Sequence, residues 1–288
     1  MTIKRILLPL SDSWELTGQI ETGLAVTNAL DAHVEALLIR SNDKTPQTSP
    51  RNLTDSNRHA SEFPLEFITR KSREVEALHA YFVKACSTAG IALSCGVPPS
   101  QLSASWREAV GAYVEVAVRR ASAFDLVIAG SASHSQEAKK IVQNELLQTG
   151  RPVLLAPSQL KTNFTNPAMI AWSDRPECWR AISIAVPLLR IARTVKILRI
   201  GRTGTGEQNT EDDLLCYLGL HGITATVELV EPSVDAVGDL LLAAAAEDDC
   251  GLVVMGAYSH RRLHERLKKG TTEHVLSNSS TRPVLMAH

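Results

Sequence analysis

Short apolar runs alternate with segments of helical period along the whole chain. Runs rich in Val, Ile and Leu predict strands, and the segments between them predict helices. The predicted strands lie near residues 4–10, 33–39, 91–97, 125–130 and 152–156, and again near 168–172, 194–200, 223–230, 252–256 and 283–287. This alternation is typical of an α/β fold in which helices cover both faces of a parallel sheet.

Three apolar segments occur twice in the same order, which predicts a duplicated domain. The matching pairs are DLVIAG at 125–130 with GLVVMG at 251–256, GRPVLLA at 150–156 with TRPVLMA at 281–287, and ILLPLSD at 6–12 with MIAWSD at 169–174. The polar stretch SQLKTNFTN separates the two copies.

We therefore expect two tandem Rossmann-like domains, at residues 1–158 and 166–288. Each is predicted to have five parallel strands in the order 3-2-1-4-5, helices on both faces and a core of its own. The two domains are expected to pack as a pseudo-symmetric pair. Residues 41–67 hold three prolines and no apolar period, so we interpret them as a mobile insertion.

Apolar residues of two predicted helices fall on single faces. Their positions are Val75, Leu78, Phe82 and Ala85 within 71–89, and Val234, Val237, Leu241 and Ala244 within 233–247. A third helix is predicted to begin at Pro176, with Ser173 or Asp174 as its cap and Pro187 near its end.

Composition excludes several classes of protein. The 288 residues are 44% hydrophobic and 21% charged, and 30 basic against 31 acidic side chains give a net charge of −1. Such a balance favours neither nucleic acid nor a membrane surface as partner. Five scattered cysteines without a Cys-x-x-Cys pair argue against disulfides and zinc, and no signal peptide or membrane span is evident. We expect a cytoplasmic protein.

Ligands of open parallel sheets bind beyond the carboxyl ends of the strands, between strands 1 and 4. The residues placed there lie at 11–13 and 130–134 in the first copy, and at 173–175 and 256–260 in the second. Gly256 would let a backbone approach a phosphate, and residues 270–272, Gly-Thr-Thr, would offer donors at a helix start.

Over its whole length the chain resembles the universal stress protein (UspA) family in its tandem form. The segment GLVVMGAYSHRRLHERLKKGTTEHVLSNSSTRPVLMAH is the most similar to the family's closing strand-loop-helix-strand unit. The resemblance implies the five-stranded fold described above. In ATP-binding members it also implies a glycine, two residues, a second glycine, nine residues, a third glycine and a small residue, plus an aspartate after the first strand.

That nucleotide pattern is damaged in this sequence. In the second copy Gly256 matches the first glycine, but Ser259, Lys269 and Gly270 stand at the next three positions. Thr272 matches a threonine that often follows, and Ser173 holds the aspartate position with Asp174 next to it. In the first copy only Gly130 matches; Ser11, Ser133, Gln143 and Asn144 replace the other residues.

The predicted function is a non-catalytic stress-response role, exerted by binding a ligand or a protein partner. The alternative is an adenine-nucleotide-binding switch, or slow ATPase, with ATP as its cofactor in the second domain. Its candidate binding residues are Ser173, Asp174, Gly256, Ser259, His260, Lys269, Gly270, Thr271 and Thr272. No catalytic or metal site is predicted, and a homodimer is compatible with the pattern.

Three further sequence features suggest a metal site, a dinucleotide loop or reactive thiols, and each also has a simpler structural interpretation. His260 and His264 have the spacing of a metal pair but lack a third ligand, so a solvated basic turn is the competing interpretation. The glycines at 201, 204 and 206 suggest a dinucleotide loop, yet they follow a second strand rather than a first one. The cysteines are interpreted as packing residues.

Overall fold

Strands and helices alternate in the computed structural model of the chain, which describes residues 2–11, 16–40, 65–94, 102–131, 136–201, 208–231, 237–258, 270–278 and 281–288. The first half contains β1 (Arg5–Ser11), α1 (Thr17–Leu30), β2 (His33–Arg40), α2 (Leu65–Thr88), β3 (Ala92–Leu93), β4 (Ser103–Val110), α3 (Tyr113–Ala121), β5 (Leu126–Ala129), α4 (Gln136–Gln148) and β6 (Val153–Leu155). The second half contains β7 (Ala168–Trp172), α5 (Pro176–Leu189), β8 (Val195–Ile200), α6 (Gln208–Leu220), β9 (Ala225–Val230), α7 (Val237–Glu247), β10 (Leu252–Gly256), α8 (Thr271–Asn278) and β11 (Val284–Ala287).

The strands of both halves form one hydrogen-bonded sheet, in the order β3-β4-β2-β1-β5-β6-β11-β10-β7-β8-β9. The segments β4-β2-β1-β5-β6 and β9-β8-β7-β10-β11 each have the order 3-2-1-4-5, so the predicted strand order is confirmed in both halves. The two predicted sheets are nevertheless not separate. They are joined at the centre of the molecule, where β6 and β11 pair antiparallel with Leu154 opposite Leu285.

The third strand of the first half is not the predicted one. The segment near 91–97 forms only the two-residue strand β3, whereas β4 pairs with β2 from Ser103 to Val110 and takes the third position. This strand was missed because SASWREAV carries charges on a half-exposed edge and has no apolar run.

Two predicted helices differ from the structure, one in its first residue and one in the burial of an apolar side chain. Helix α2 begins at Leu65, inside the predicted insertion, of which residues 41–64 lie outside the described part of the chain. Its predicted face is confirmed, because Phe82 is buried and its apolar neighbours pack on the same core. In α7, Leu241 is buried as predicted but Val237 is exposed, because it is the first residue of the helix. Val234 is not among the described residues.

Two apolar layers cover the faces of the sheet, and each layer crosses both halves. One layer lies under α1, α2, α5 and α6, and the other under α3, α4, α7 and α8. The expectation of a separate core for each half is therefore wrong: joining the sheets at β6 and β11 makes the apolar surfaces of both halves continuous.

The arginine of each repeated Arg-Pro-Val segment donates hydrogen bonds to the carboxyl end of a helix. Arg151 Nη2 donates to Ser122 O at the end of α3 (2.7 Å). Arg282 donates through Nε to Ala245 O (2.9 Å) and through Nη2 to Ala246 O (3.2 Å) in the last turn of α7. Each guanidinium satisfies carbonyls that a helix end leaves without partners.

Candidate functional site

Asp174 follows β7. It lies at the carboxyl ends of the strands, where the resemblance places a nucleotide base. Its Oδ1 accepts a hydrogen bond from Trp179 Nε1 (3.2 Å), and that indole packs edge-on against Trp172 and Tyr217. Helix α5 begins at Pro176 as predicted, but its N-cap residue is Arg175, which makes no side-chain cap bond. The predicted Ser173 or Asp174 cap is therefore wrong, because the Asp174 carboxylate faces Trp179 instead.

Gly256 ends β10, next to the start of α5. A Cβ atom built on Gly256 would lie 2.7 Å from Cys178 N and 3.1 Å from Cys178 Cα. The glycine is thus needed for the close approach of α5 to the sheet. Its φ is not in the left-handed region, so conformational freedom is not the reason for a glycine at this position.

The described part of the predicted phosphate loop lies at the start of α8. Thr272 is buried, and its Oγ1 accepts a hydrogen bond from Tyr258 N (3.3 Å), which joins α8 to the segment that follows β10. Gly270 precedes the helix, and no atom of the described residues lies within 4 Å of the place where its Cβ atom would be. Thr271 is the first residue of α8. Ser259, His260 and Lys269 lie outside the described residues, as does His264.

Cys178, the third residue of α5, is completely buried. Its thiol lies 3.5 Å from Ala171 O, to which it donates a weak hydrogen bond. Burial raises the pKa of Cys178 above its usual value, and the same cause raises the pKa of Cys86 and of Cys250 to about 11. Thiols held neutral in this way are poor nucleophiles, in keeping with a packing role.

The first and fourth strands of the first half are paired over a shorter length than those of the second half. β1 and β5 are paired only at Ile6↔Leu126 and Leu7↔Val127, whereas β7 and β10 stay paired from Ala168 to Ala171. Pro9 lies just beyond the last β1–β5 pair and has no N–H to donate. The strands therefore separate towards their carboxyl ends.

A side-chain amide fills this separation. Gln19, the third residue of α1, is buried, and its Nε2 donates to Pro9 O (2.8 Å) and to Ile128 O (2.9 Å). One amide therefore bridges β1 and β5 in place of the missing backbone hydrogen bonds. Because both contacts are to carbonyl oxygens, they also fix which end of the amide carries the nitrogen.

A tyrosine hydroxyl approaches the Pro9 carbonyl from the opposite face of the sheet, and a buried carboxyl group contacts that hydroxyl. Tyr113 Oη donates to Pro9 O (3.0 Å) and lies 3.3 Å from Glu145 Oε1. Glu145 is completely buried in α4, and its Oε2 has no hydrogen-bond partner among the described residues. Loss of hydration disfavours the carboxylate and raises the pKa of Glu145 to about 8, and burial raises the pKa of Tyr113 as well.

Gln19 and Cys178 occupy equivalent places. Each is the third residue of the 14-residue helix that follows the first strand of its half, and each donates to the carbonyl two positions before a serine. No sequence pattern identifies Gln19, Tyr113 or Glu145 as residues of this site. The available signal was Pro9, because a proline inside a central strand predicts a gap in the ladder that another donor must fill.

The described residues hold no cluster of three or more His, Cys, Asp or Glu side chains able to bind a metal. They also include no helix with the length and apolar character needed to cross a bilayer.

The architecture is that of a doubly wound α/β protein, and solved structures define the fold more closely. The chain is similar to a universal stress protein from Archaeoglobus fulgidus DSM 4304, with 15% identity, a TM-score of 0.72, and coverage of 99% of this chain and 96% of that chain. It is also similar to a functionally unknown protein from Pseudomonas aeruginosa PAO1, with 13% identity, a TM-score of 0.56, and coverage of 99% and 92%. No family model and no curated protein matches the sequence. The chain has the universal stress protein fold, which confirms the resemblance at the level of the fold.

Proposed function

We propose that the chain is a tandem universal stress protein that acts without catalysis, by binding a ligand or a protein partner during stress. The fold, shared over nearly the whole length with a universal stress protein, supports this family role. The four cysteines among the described residues are free thiols, which supports a reducing, cytoplasmic location.

Two of the candidate nucleotide-binding residues make contacts within the protein, and this observation favours a function that does not require a nucleotide. Asp174, the acidic group nearest the family's base-binding position, receives the indole N–H of Trp179. Gly256 is covered by the first turn of α5 at Cys178. A bound nucleotide would have to displace the hydrogen bond between Trp179 and Asp174, which lies at the surface, and would meet the first turn of α5 packed against Gly256.

The adenine-nucleotide switch is the second candidate, and the start of α8 supports it. Gly270 and Thr271 leave the N–H groups of the first helical turn near the segment that follows β10, because Thr272 is bonded to Tyr258 N. A helix N-terminus offers N–H donors and a favourable dipole to a phosphate. In this alternative Asp174 would first have to release Trp179.

A nucleotide assay separates the two candidates. Purified protein is heat-denatured and the supernatant is analysed for adenine nucleotide, and melting is measured with and without millimolar Mg-ATP. We expect no stoichiometric nucleotide and no rise in melting temperature. An equimolar amount of nucleotide in the supernatant would overturn the proposal, and loss of that nucleotide in Thr272→Val would assign it to α8.

A cellular assay tests the stress role itself. Deletion of the gene in its host is expected to lower survival under starvation or oxidative stress, and the wild-type gene should restore it. Thr272→Val should restore survival equally, because it keeps the shape of the buried side chain and removes only the hydroxyl. Failure of the deletion to affect survival under any stress would contradict the family role.

A further inference from the structure

An ion triad lies beside the outer edge of the first half. Glu35 of β2 is buried and accepts two hydrogen bonds from Arg120 of α3, at 2.7 Å from Nε and 2.6 Å from Nη2. Arg107 Nε of β4 lies 3.5 Å from Glu35 Oε1, the oxygen that also accepts from Arg120 Nε. One carboxylate between two guanidinium groups leaves an excess of one positive charge, and the Arg107 side chain is 59% exposed.

The second half has a triad of opposite sign. Lys196 of β8 lies 2.6 Å from Glu228 Oε2 of β9 and 2.6 Å from Asp248 Oδ2 after α7. One ammonium between two carboxylates leaves an excess of one negative charge. The two carboxylates raise the pKa of Lys196, and the Glu228 side chain is 44% exposed.

The two triads occupy equivalent positions. Glu35 is opposite Ser105 in the β2–β4 pair, and Lys196 is opposite Thr226 in the β8–β9 pair. In each case the partner on the outer strand lies two residues further on, at Arg107 or Glu228, on the same face of the sheet. The duplicated scaffold therefore presents opposite charges at its two ends.

Both triads lie next to strand edges without a described partner. β3 pairs only with Ser103 and Ala104 of β4, so the outer edge of β4 from Ser105 to Val110 has no strand beside it in the described part of the chain. β9, Ala225–Val230, ends the sheet on the other side. The two edges are equal in length, at six residues each. Because β6 and β11 join the halves antiparallel, β4 and β9 run in opposite directions.

We propose that the chain associates head to tail with further copies of itself, β9 of one copy pairing antiparallel with the outer edge of β4 of the next. In the register that aligns the two edges, Ser105 lies opposite Val230 and Val110 lies opposite Ala225. This register matches the faces, because Ala109 and Val230 pack on the α3 and α7 side while Trp106 and Ala225 pack on the other.

The same register places Arg107 opposite Glu228. The two triads then form a row of six alternating charges, in the order Arg120, Glu35, Arg107, Glu228, Lys196 and Asp248. The excess positive charge of one copy neutralises the excess negative charge of the next. The exposed Val110 and Val227 lie on one face of the sheet as diagonal neighbours in this register, with Val110 opposite Ala225 and Val227 opposite Glu108. A heterologous contact of this kind does not close on itself and extends into chains of copies.

Charge reversal tests the proposal. Sedimentation velocity of the wild-type protein from micromolar to millimolar concentration, at low salt, should show a mass that increases with concentration. Arg107→Glu and Glu228→Arg should each remain at the mass of one chain, because like charges would then face each other across the contact. Arg180→Glu, which reverses an exposed paired arginine on α5, is the control and should associate as the wild type does.

Mixing the two variants gives the decisive result. In an equimolar mixture each contact between unlike variants joins either the native pair, Arg107 with Glu228, or the same two positions with their charges exchanged. Association should therefore return although neither variant associates alone. Melting temperatures of the separate variants show that both remain folded. A wild-type protein that stays at the mass of one chain at all concentrations would overturn the proposal, as would a mixture that fails to associate. Either result would assign the edge charges to preventing strand pairing.

Discussion

The two halves differ in how their first and fourth strands are held together at the carboxyl ends. In the second half β7 and β10 remain paired up to Ala171, and the short thiol of Cys178 only adds a weak contact to that carbonyl. In the first half Pro9 interrupts the pairing, and the longer Gln19 side chain bridges the strands instead. The third residue of the first helix therefore has the same position in both halves, but it bridges two strands only in the first half.

The comparison shows how a duplicated scaffold can retain its fold while the place that binds ligands in related folds changes. In the first half Gln19 bridges strands 1 and 4, and Tyr113, which contacts Glu145, donates to Pro9 O from the other face of the sheet. In the second half the corresponding strands remain paired, and the first turn of α5 lies against Gly256. Three sets of substitutions, in order of decreasing expected effect, and one hydrogen-exchange experiment test how the two halves differ.

Gln19→Leu should destabilise the protein most. The substitution leaves Ile128 O buried without its donor and removes one of the two donors to Pro9 O, and an unpaired buried group costs about 1–3 kcal/mol. We expect a loss of about 3 kcal/mol in the free energy of unfolding, measured by urea denaturation. Cys178→Ala, at the equivalent place, is the control and should cost about 1 kcal/mol, chiefly for a small cavity. Equal losses for the two variants would contradict the assignment of different tasks.

Glu145→Gln should stabilise the protein at high pH. The folded protein keeps this carboxyl protonated up to a pKa of about 8, above its ordinary value of 4.5. The folded state therefore binds more protons than the unfolded state between these values, so stability falls as pH rises through that range, by up to about 1.4 kcal/mol per pH unit.

Glutamine keeps the polar contact without an ionisable proton, so the variant should lose this pH dependence. We expect little difference from the wild type near pH 4 and an advantage of the variant that grows as the pH rises towards 8. Urea denaturation at a series of pH values measures both. A wild-type stability that does not fall over this range would show that Glu145 ionises in an ordinary environment. The second half has Leu276 near the corresponding position of α8, so the effect should be confined to the first half.

The repeated arginines should show the smallest difference between the halves. Arg282→Met removes two hydrogen bonds to the end of α7, and Arg151→Met removes one to the end of α3. We expect losses of about 2 and about 1 kcal/mol in the free energy of unfolding, respectively. The reverse order in denaturation experiments would show that the number of capping bonds does not determine these losses.

Much of the fold follows from sequence patterns. The repeated apolar segments predicted the order 3-2-1-4-5 in both halves, and Pro176 predicted the start of α5. The junction between the halves was not predicted, although β6 and β11 are wholly apolar and would be edge strands of separate sheets. An apolar edge has to be covered, so this composition was a usable signal.

The candidate site was less predictable because its residues act through tertiary contacts. The sequence correctly predicted that Asp174 and Gly256 lie at the carboxyl ends of the strands. Their contacts with Trp179 and Cys178 depend on how α5 packs against the sheet, which the sequence pattern does not show. A buried glutamine in an apolar helix face has no periodic signature, so Gln19 was recognisable only together with Pro9. The strand β4 was missed because an edge strand with one solvated face can be rich in charge.

Hydrogen exchange of the backbone amides tests most directly whether a side chain holds the strands of the first half together. Exchange is compared between the wild type and Gln19→Leu under conditions in which both are folded. The account predicts faster exchange in residues 6–11 and 126–130, with residues 168–172 and 252–256 unchanged. Unchanged exchange in the first pair of segments, or an equal increase in all four, would contradict it.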